Sequence, residues 1–282
     1  MKDEFAGFHP TVNFIFYIAV IVFAILQLQP GFIAVSFLCA TVYFFMLKKT
    51  AGIKYYIGVW VVMILSSIIN PLFSHKGATL LFYLPTGNPV TTESIIFGIC
   101  AGAMIGTVLL WLSTMSEVIT TDKVLALVGG VIPTMAMLLS IVFRFVPKYI
   151  SQMKKTKEVN DEGRSKIRTA AHVFSITTTW ALENSVDTAD SMRARGYGTG
   201  RRTNYTNYKF TLRDLILIIW IVVMMAVFII EMATSRVGIS FYPTIVMKES
   251  VITYIAYIGL CITPIAINIK ERLRWHILKS KI

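Results

Sequence analysis

The sequence predicts an all-α integral membrane protein of about six transmembrane helices with an inserted cytoplasmic helical unit. Three observations predict it. Hydrophobic residues make up 55% of the chain and charged residues only 15%, far too few for a soluble domain of this length. The apolar residues are gathered into separate runs of near-bilayer length. Counted as alternating spans, those runs place the basic residues almost wholly on one side.

The spans are expected at Val12–Leu28, Phe32–Leu47, Tyr55–Leu72, Ser94–Thr114, Leu212–Ile230 and Val251–Ile269. Several fall short of the ~20 residues a perpendicular helix needs, which favours thin or tilted packing. Gln29-Pro30-Gly31 turns the first two into a tight helical hairpin. The loop Phe73–Glu93 carries two turn signals, Pro85-Thr86-Gly87 and Asn88-Pro89. A seventh apolar run, Val124–Phe145, contains Gly129-Gly130 and Pro133, which break a continuous helix. It reads as two shorter helices forming a hairpin against the cytoplasmic face.

Leaving that run out of the span count keeps both termini and the basic segment 147–210 inside. Of the 27 Lys and Arg residues, only Lys76, Arg236 and Lys248 then fall outside. The expected division is 1–115 for the N-terminal membrane helices, 116–210 for the cytoplasmic helices and 211–282 for the C-terminal membrane helices. No basic n-region or A-x-A site marks a cleaved leader, so the first segment is expected to stay as an anchor. Cys39, Cys100 and Cys261 lie in different apolar runs and read as small buried hydrophobes.

From Lys166 to Gly196 the chain reads as one long helix. Ala181, Leu182, Ser185, Val186, Ala189 and Met192 are expected to form its small, apolar packing face, with Glu183, Asp187, Asp190 and Ala194 opposite. Arg193 and Arg195 sit in the last turn, where the helix dipole favours cations, and Gly196 can close the helix in a left-handed conformation. A charged helix tip held outside the bilayer suits a grip on another protein; the same pattern also fits a solvated amphipathic helix with ordinary capping.

The segment ENSVDTADSMRARGYG (Glu183–Gly198) resembles the second coupling signature of the energy-coupling factor (ECF) transporter transmembrane T components, the EcfT/CbiQ family. RFVP (Arg144–Pro147) is similar to that family's Arg-Phe-x-Pro lead-in, and FHP (Phe8–Pro10) and the stretch Asn70–Thr91 also fit, in the right order. The resemblance implies a scaffold that binds two ABC-type ATPase subunits through cytoplasmic helices, with a small substrate-capturing membrane subunit taking up a vitamin or metal ion. It implies that Ala194, Arg195 and Gly196, with Arg193 beside them, sit in an ATPase groove. Arginine suits that place because its planar fork makes bidentate bonds to carboxylates or backbone oxygens.

The family's first Ala-Arg-Gly-like motif has no counterpart in Met153–Lys166. Gly163 can mark the equivalent helix end, with Lys157 or Arg164 supplying the charge, or the stretch is a solvated basic loop. Arg144, just before Pro147, can pair with Glu183, Asp187 or Asp190, or snorkel to lipid headgroups. Gly98, Gly102 and Gly106 form a small-residue ridge and are expected to face the membrane partner.

No catalytic or metal site is expected, and no cofactor. The four histidines lie far apart, and there is no phosphate-binding G-x-x-x-x-G-K-[ST] loop. Asp187-Thr-Ala-Asp190 has the spacing of a membrane prenyltransferase's Mg²⁺-diphosphate site, but a second acidic pair is missing. A self-contained ABC importer permease would need polar groups along its spans, which are nearly free of ionisable residues apart from Arg213 and Asp214 at one end. The basic surface is better explained by topology and anionic lipid than by nucleic acid.

Overall fold

The computed structural model describes residues 3–74, 77–83, 89–159, 166–200, 208–234, 237–242 and 245–279. The chain divides into two compact units, residues 121–208 forming one and the remainder the other. The larger unit contains α1 (Pro10–Leu26), α2 (Pro30–Lys48), α3 (Ile53–Phe73), α4 (Thr92–Val118), α8 (Leu212–Ala233) and α9 (Val251–Lys279). The smaller contains α5 (Thr121–Val131), α6 (Pro133–Val159) and α7 (Lys166–Ala194). The expected boundary at 115/116 falls inside α4, which runs on to Val118.

Five stretches are long and apolar enough to cross a membrane: 30–73, 92–118, 133–159, 212–233 and 251–275. The chain is thus an all-α, multi-pass membrane protein. Residues 30–73 are not one rod. The 3₁₀ turn Lys49–Gly52, with Lys49 at φ 48°, divides them into α2 and α3. Rings then meet across the bend, Phe45 with Tyr56 at 5.0 Å and Phe37 with Trp60 at 5.9 Å. Pro30 starts α2 at its first turn, where the missing N–H costs nothing.

The expectation of two short helices in Val124–Phe145 needs correction. The chain does break before Pro133, while Gly129-Gly130 remain inside α5. The second helix is not short: α6 has 27 residues, runs through Pro147 and is itself a candidate span, the least apolar of the five. Pro147 removes one rung of the hydrogen-bond ladder without ending the helix, because the apolar residues on either side continue the helical repeat. Among the described residues two small antiparallel hairpins, unforeseen in the sequence, join the helices at one end. They are β1 (Leu80–Tyr83) with β2 (Pro89–Thr91), and β3 (Gly238–Ser240) with β4 (Val246–Lys248). Phe97 and Phe241 pack edge to face at 5.1 Å beside them. Pro85-Thr86-Gly87 and Asn88 lie outside the described residues.

In the larger unit α4 packs along α1, α2 and α3, and α9 closes the bundle against α2 and α8. Trp111 of α4 is fully buried among Phe16, Tyr17 and Tyr43, and its Nε1 donates to Ser36 Oγ at 3.0 Å. A second aromatic seam stacks Phe23 on Phe228 and Phe32 on Tyr254, each at 4.2 Å. These rings fill space and, in Trp111, satisfy the one polar group a buried indole carries.

The chain start is tied into the same bundle. Asp3 accepts from Tyr43 Oη at 2.9 Å and from Asn268 Nδ2, while the Glu4 amide donates to Asn268 Oδ1 at 3.0 Å. The FHP segment has a structural use of its own. His9 Nδ1 caps α1 by accepting from the Thr11 amide, and the His9 amide donates to Asp214 Oδ1 at 2.9 Å. Asp214 and Thr211 also form a capping box at the start of α8.

The glycine ridge faces inward, which corrects its expected role as a partner surface. A Cβ built on Gly98 would lie 2.7 Å from the Ser67 backbone oxygen, and one on Gly102 would lie 2.5 Å from the Met63 oxygen and strike Ser67 Oγ. One on Gly106 would strike the Met63 side chain. All three positions are spent on close approach of α4 to α3. Gly102→Ile is therefore expected to lower stability by roughly 1–3 kcal/mol, because backbone atoms cannot yield to the added carbons. Gly58→Ala, where a Cβ meets nothing within 4 Å, should leave stability unchanged or slightly raised. Thermal unfolding of the detergent-solubilised chain distinguishes the two.

Candidate functional site

The site proposed from sequence lies in the smaller unit, at the end of α7. This helix is rich in Ser and Thr, types that compete with helical bonding unless their hydroxyls are satisfied within the helix. Most of them are: Thr177 donates to the Val173 oxygen at 2.6 Å, Thr178 to Phe174 at 2.8 Å, Thr179 to Ser175 at 3.2 Å, Ser185 to Ala181 at 2.6 Å and Thr188 to Asn184 at 2.7 Å.

With most of its hydroxyls satisfied internally, α7 can bury its polar side. Thr169, Val173 and Thr177 are buried, and Ala181, Asn184, Thr188 and Met192 continue that face half-buried. Leu182 and Val186 are 65% and 61% exposed, so the expected packing face is corrected: of its six residues only Ala181 and Met192 lie on the covered side. The packed seam on α6 includes Phe145, which stacks on Trp180 at 5.9 Å.

Between α6 and α7 lies an open cleft of about 410 Å³. From α6 it takes Arg144 and Lys148, from α7 Asn184, Asp187 and Ser191, and from just past the end of α7 Arg195. Arg144 and Asp187 share this cleft without an ion pair within 4.0 Å, and no pair joins Arg144 to Glu183 or Asp190. The only one of the three acids in an ion pair among the described residues is Asp190, with Arg193 at 3.8 Å. Both side chains are mostly exposed, so that contact adds little to stability. Lys148, Asn184 and Ser191 were not singled out in the sequence. Their signal is the four-residue step from Arg144 to Lys148 and the steps from Asn184 through Ser191 to Arg195, which share a helix face.

The helix ends as its sequence requires. Gly196 has φ +80°, its amide donates to the Arg193 oxygen at 2.9 Å, and the Tyr197 amide reaches back to the Met192 oxygen at 3.0 Å. These two bonds make a Schellman cap, satisfying carbonyls that a helix end otherwise leaves open. Arg193, Ala194 and Arg195 consequently sit exposed on a fixed helical tip rather than a frayed one.

Lys157 is exposed in the last turn of α6, and Pro147 is exposed further back along it. Gly163 and Arg164 lie outside the described residues. The 29 residues of α7 make a helix about 43 Å long, with the Arg193–Gly196 tip at its end. Among the described residues no three His, Cys, Asp or Glu side chains gather as a metal-holding group.

Compared with protein-family models and with curated proteins, the chain matches none.

The Gly196 cap yields a direct expectation. Gly196→Ala should loosen the last turn of α7 by about 1 kcal/mol, since an L-residue is disfavoured in the left-handed region, and Gly196→Asn should cost less. Faster hydrogen exchange at the amides of residues 196 and 197, with the middle of α7 unchanged, is the expected readout.

Proposed function

We propose that this protein is the transmembrane coupling subunit of an energy-coupling factor importer, transmitting ATP hydrolysis by two partner ATPases to a small membrane subunit that captures a vitamin or metal ion. The observation that carries the reading is the tip of α7. A segment resembling the family's coupling signature ends in a Schellman-capped turn that presents Arg193, Ala194 and Arg195 outward. A rigid cap matters for such a role, because force is transmitted only by a tip whose orientation is fixed.

The length of α7, about 43 Å, suits the same reading, since the helix can act as one lever carrying the Arg195 tip at its end. Motion of the ATPase pair would then tilt the lever and shift the membrane bundle that holds the capturing subunit. With residues 124–145 kept out of the spans, although α6 is long enough to be one, the positive-inside count favours a cytoplasmic side, with the ATPases, for this basic unit.

The test is co-purification of tagged, detergent-solubilised chain from native membranes, wild type against Arg195→Glu. Wild type is expected to bring down two ATPase subunits and a small hydrophobic protein. The charge reversal should deplete the ATPases at least tenfold, roughly the loss of one charged hydrogen-bonded contact. Recovery of no ATPase with wild type would overturn the proposal; equal recovery with both would move the grip away from Arg195.

A further inference from the structure

At the end of the larger unit that carries both chain ends, a cleft of about 690 Å³ opens between the segment around Gly7, the start of α8 and the second half of α9. Its volume is in the range of small-molecule sites. Its lining has two chemically distinct parts. Trp220, Gly259, Ile262 and Ala266 provide an apolar floor between the two helices. Four cations, Lys209, Arg213, Lys270 and Arg274, stand around it.

None of those cations has an ion-pair partner within 4.0 Å among the described residues. Three carboxylates also line the cleft, and they do not change this. Asp214 is committed to the Thr211 amide and hydroxyl at 2.8 and 2.6 Å and to the His9 amide. Glu4 and Glu271 approach no cation closely enough to pair.

An apolar channel between two membrane helices, leading to unpaired guanidinium and ammonium groups at their ends, matches the two parts of one ligand. Planar guanidinium groups chelate phosphate oxygens, while acyl chain carbons are at no disadvantage against Trp and Ile. We propose that this cleft binds one anionic phospholipid, its phosphodiester among Arg213, Lys270 and Arg274 and an acyl chain along Trp220, Ile262 and Ala266. The proposal depends on the chain being a membrane protein and stands independently of the coupling role. Holding a lipid here would bridge α8 and α9 at the end where Asp3 and Asn268 already meet.

Native mass spectrometry of the purified full chain in neutral detergent tests it, with phosphatidylglycerol, phosphatidylcholine of the same chains, and inorganic phosphate as probes. Wild type is expected to retain one phosphatidylglycerol in preference to phosphatidylcholine. The combined variant Arg213→Gln, Lys270→Gln, Arg274→Gln should lose that preference by roughly a hundredfold, each cation contributing to headgroup attraction. Ala266→Trp, which fills the floor at an exposed position, should weaken retention of both lipids. Lys49→Gln, Lys54→Gln, Lys248→Gln removes the same charge at exposed positions of the same unit that do not line the cleft, and should change neither. Unfolding midpoints equal to wild type in phosphatidylcholine establish that the variants are folded. Unchanged preference in the cleft variant, equal loss in the control, or displacement of the lipid by equimolar phosphate would each overturn the proposal.

Discussion

Helices inside a bilayer gain nothing by hiding apolar surface from one another, because lipid tails are equally apolar; they must associate by fitting closely. In this chain the fit depends most on the approach of α4 to α3. Three glycines four residues apart bring the backbone of α4 onto Met63, Ser67 and Asn70, leaving no room for a side chain. The helices α1, α2 and α3 surround the helix so placed, and α8 and α9 join through α1 and α2. Trp111, five residues beyond Gly106, becomes the centre of the aromatic cluster, and α1 and α2 pack on the remaining sides of α4.

Directed bonds then fix what close packing leaves free. Asp3 draws α2 and α9 together through Tyr43 and Asn268, and Asp214 holds the start of α8 to the chain leading into α1. In a low-dielectric setting such bonds specify one arrangement because their alternatives leave buried polar groups unsatisfied. At the opposite end, two short hairpins are joined by bonds of the same kind, Gln29 Nε2 donating to the Lys248 oxygen at 3.3 Å and Ser250 Oγ to Glu231 at 2.9 Å, with the Ser74–Tyr242 hydroxyl contact at 3.2 Å.

How much of this is legible in the sequence follows from what each signal measures. Hydropathy reports burial in lipid or protein alike, so every expected span is a helix. It also marks a seventh run, Val124–Phe145, but the break at Pro133 and the later Pro147 disguise that the helix after the break continues to spanning length. A glycine ridge announces close approach but not which surface approaches, and here it is α3 rather than a second protein. The buried face of α7 was misread because Leu182 and Val186 outweigh Thr177 and Thr188 on any hydrophobic scale. Hydroxyls returned to the helix's own carbonyls reverse that ordering, and no wheel records it. The Asp3–Asn268 contact joins residues at opposite ends of the chain, beyond any local pattern. At the α7 tip, by contrast, Gly196 after a cationic turn is a local signal with a local outcome, and the cap forms as read.

The inward-turned hydroxyls of α7 have a mechanical consequence. Because Thr177 and Thr188 spend their donors on their own helix, the seam they present to α6 is held there by shape and dispersion rather than by bonds of fixed length and direction. Dispersion contacts change gradually under a small axial slip, whereas a hydrogen bond across the seam would have to break. Such a surface permits shear: the helix can glide a fraction of a turn along its neighbour while its own ladder stays intact.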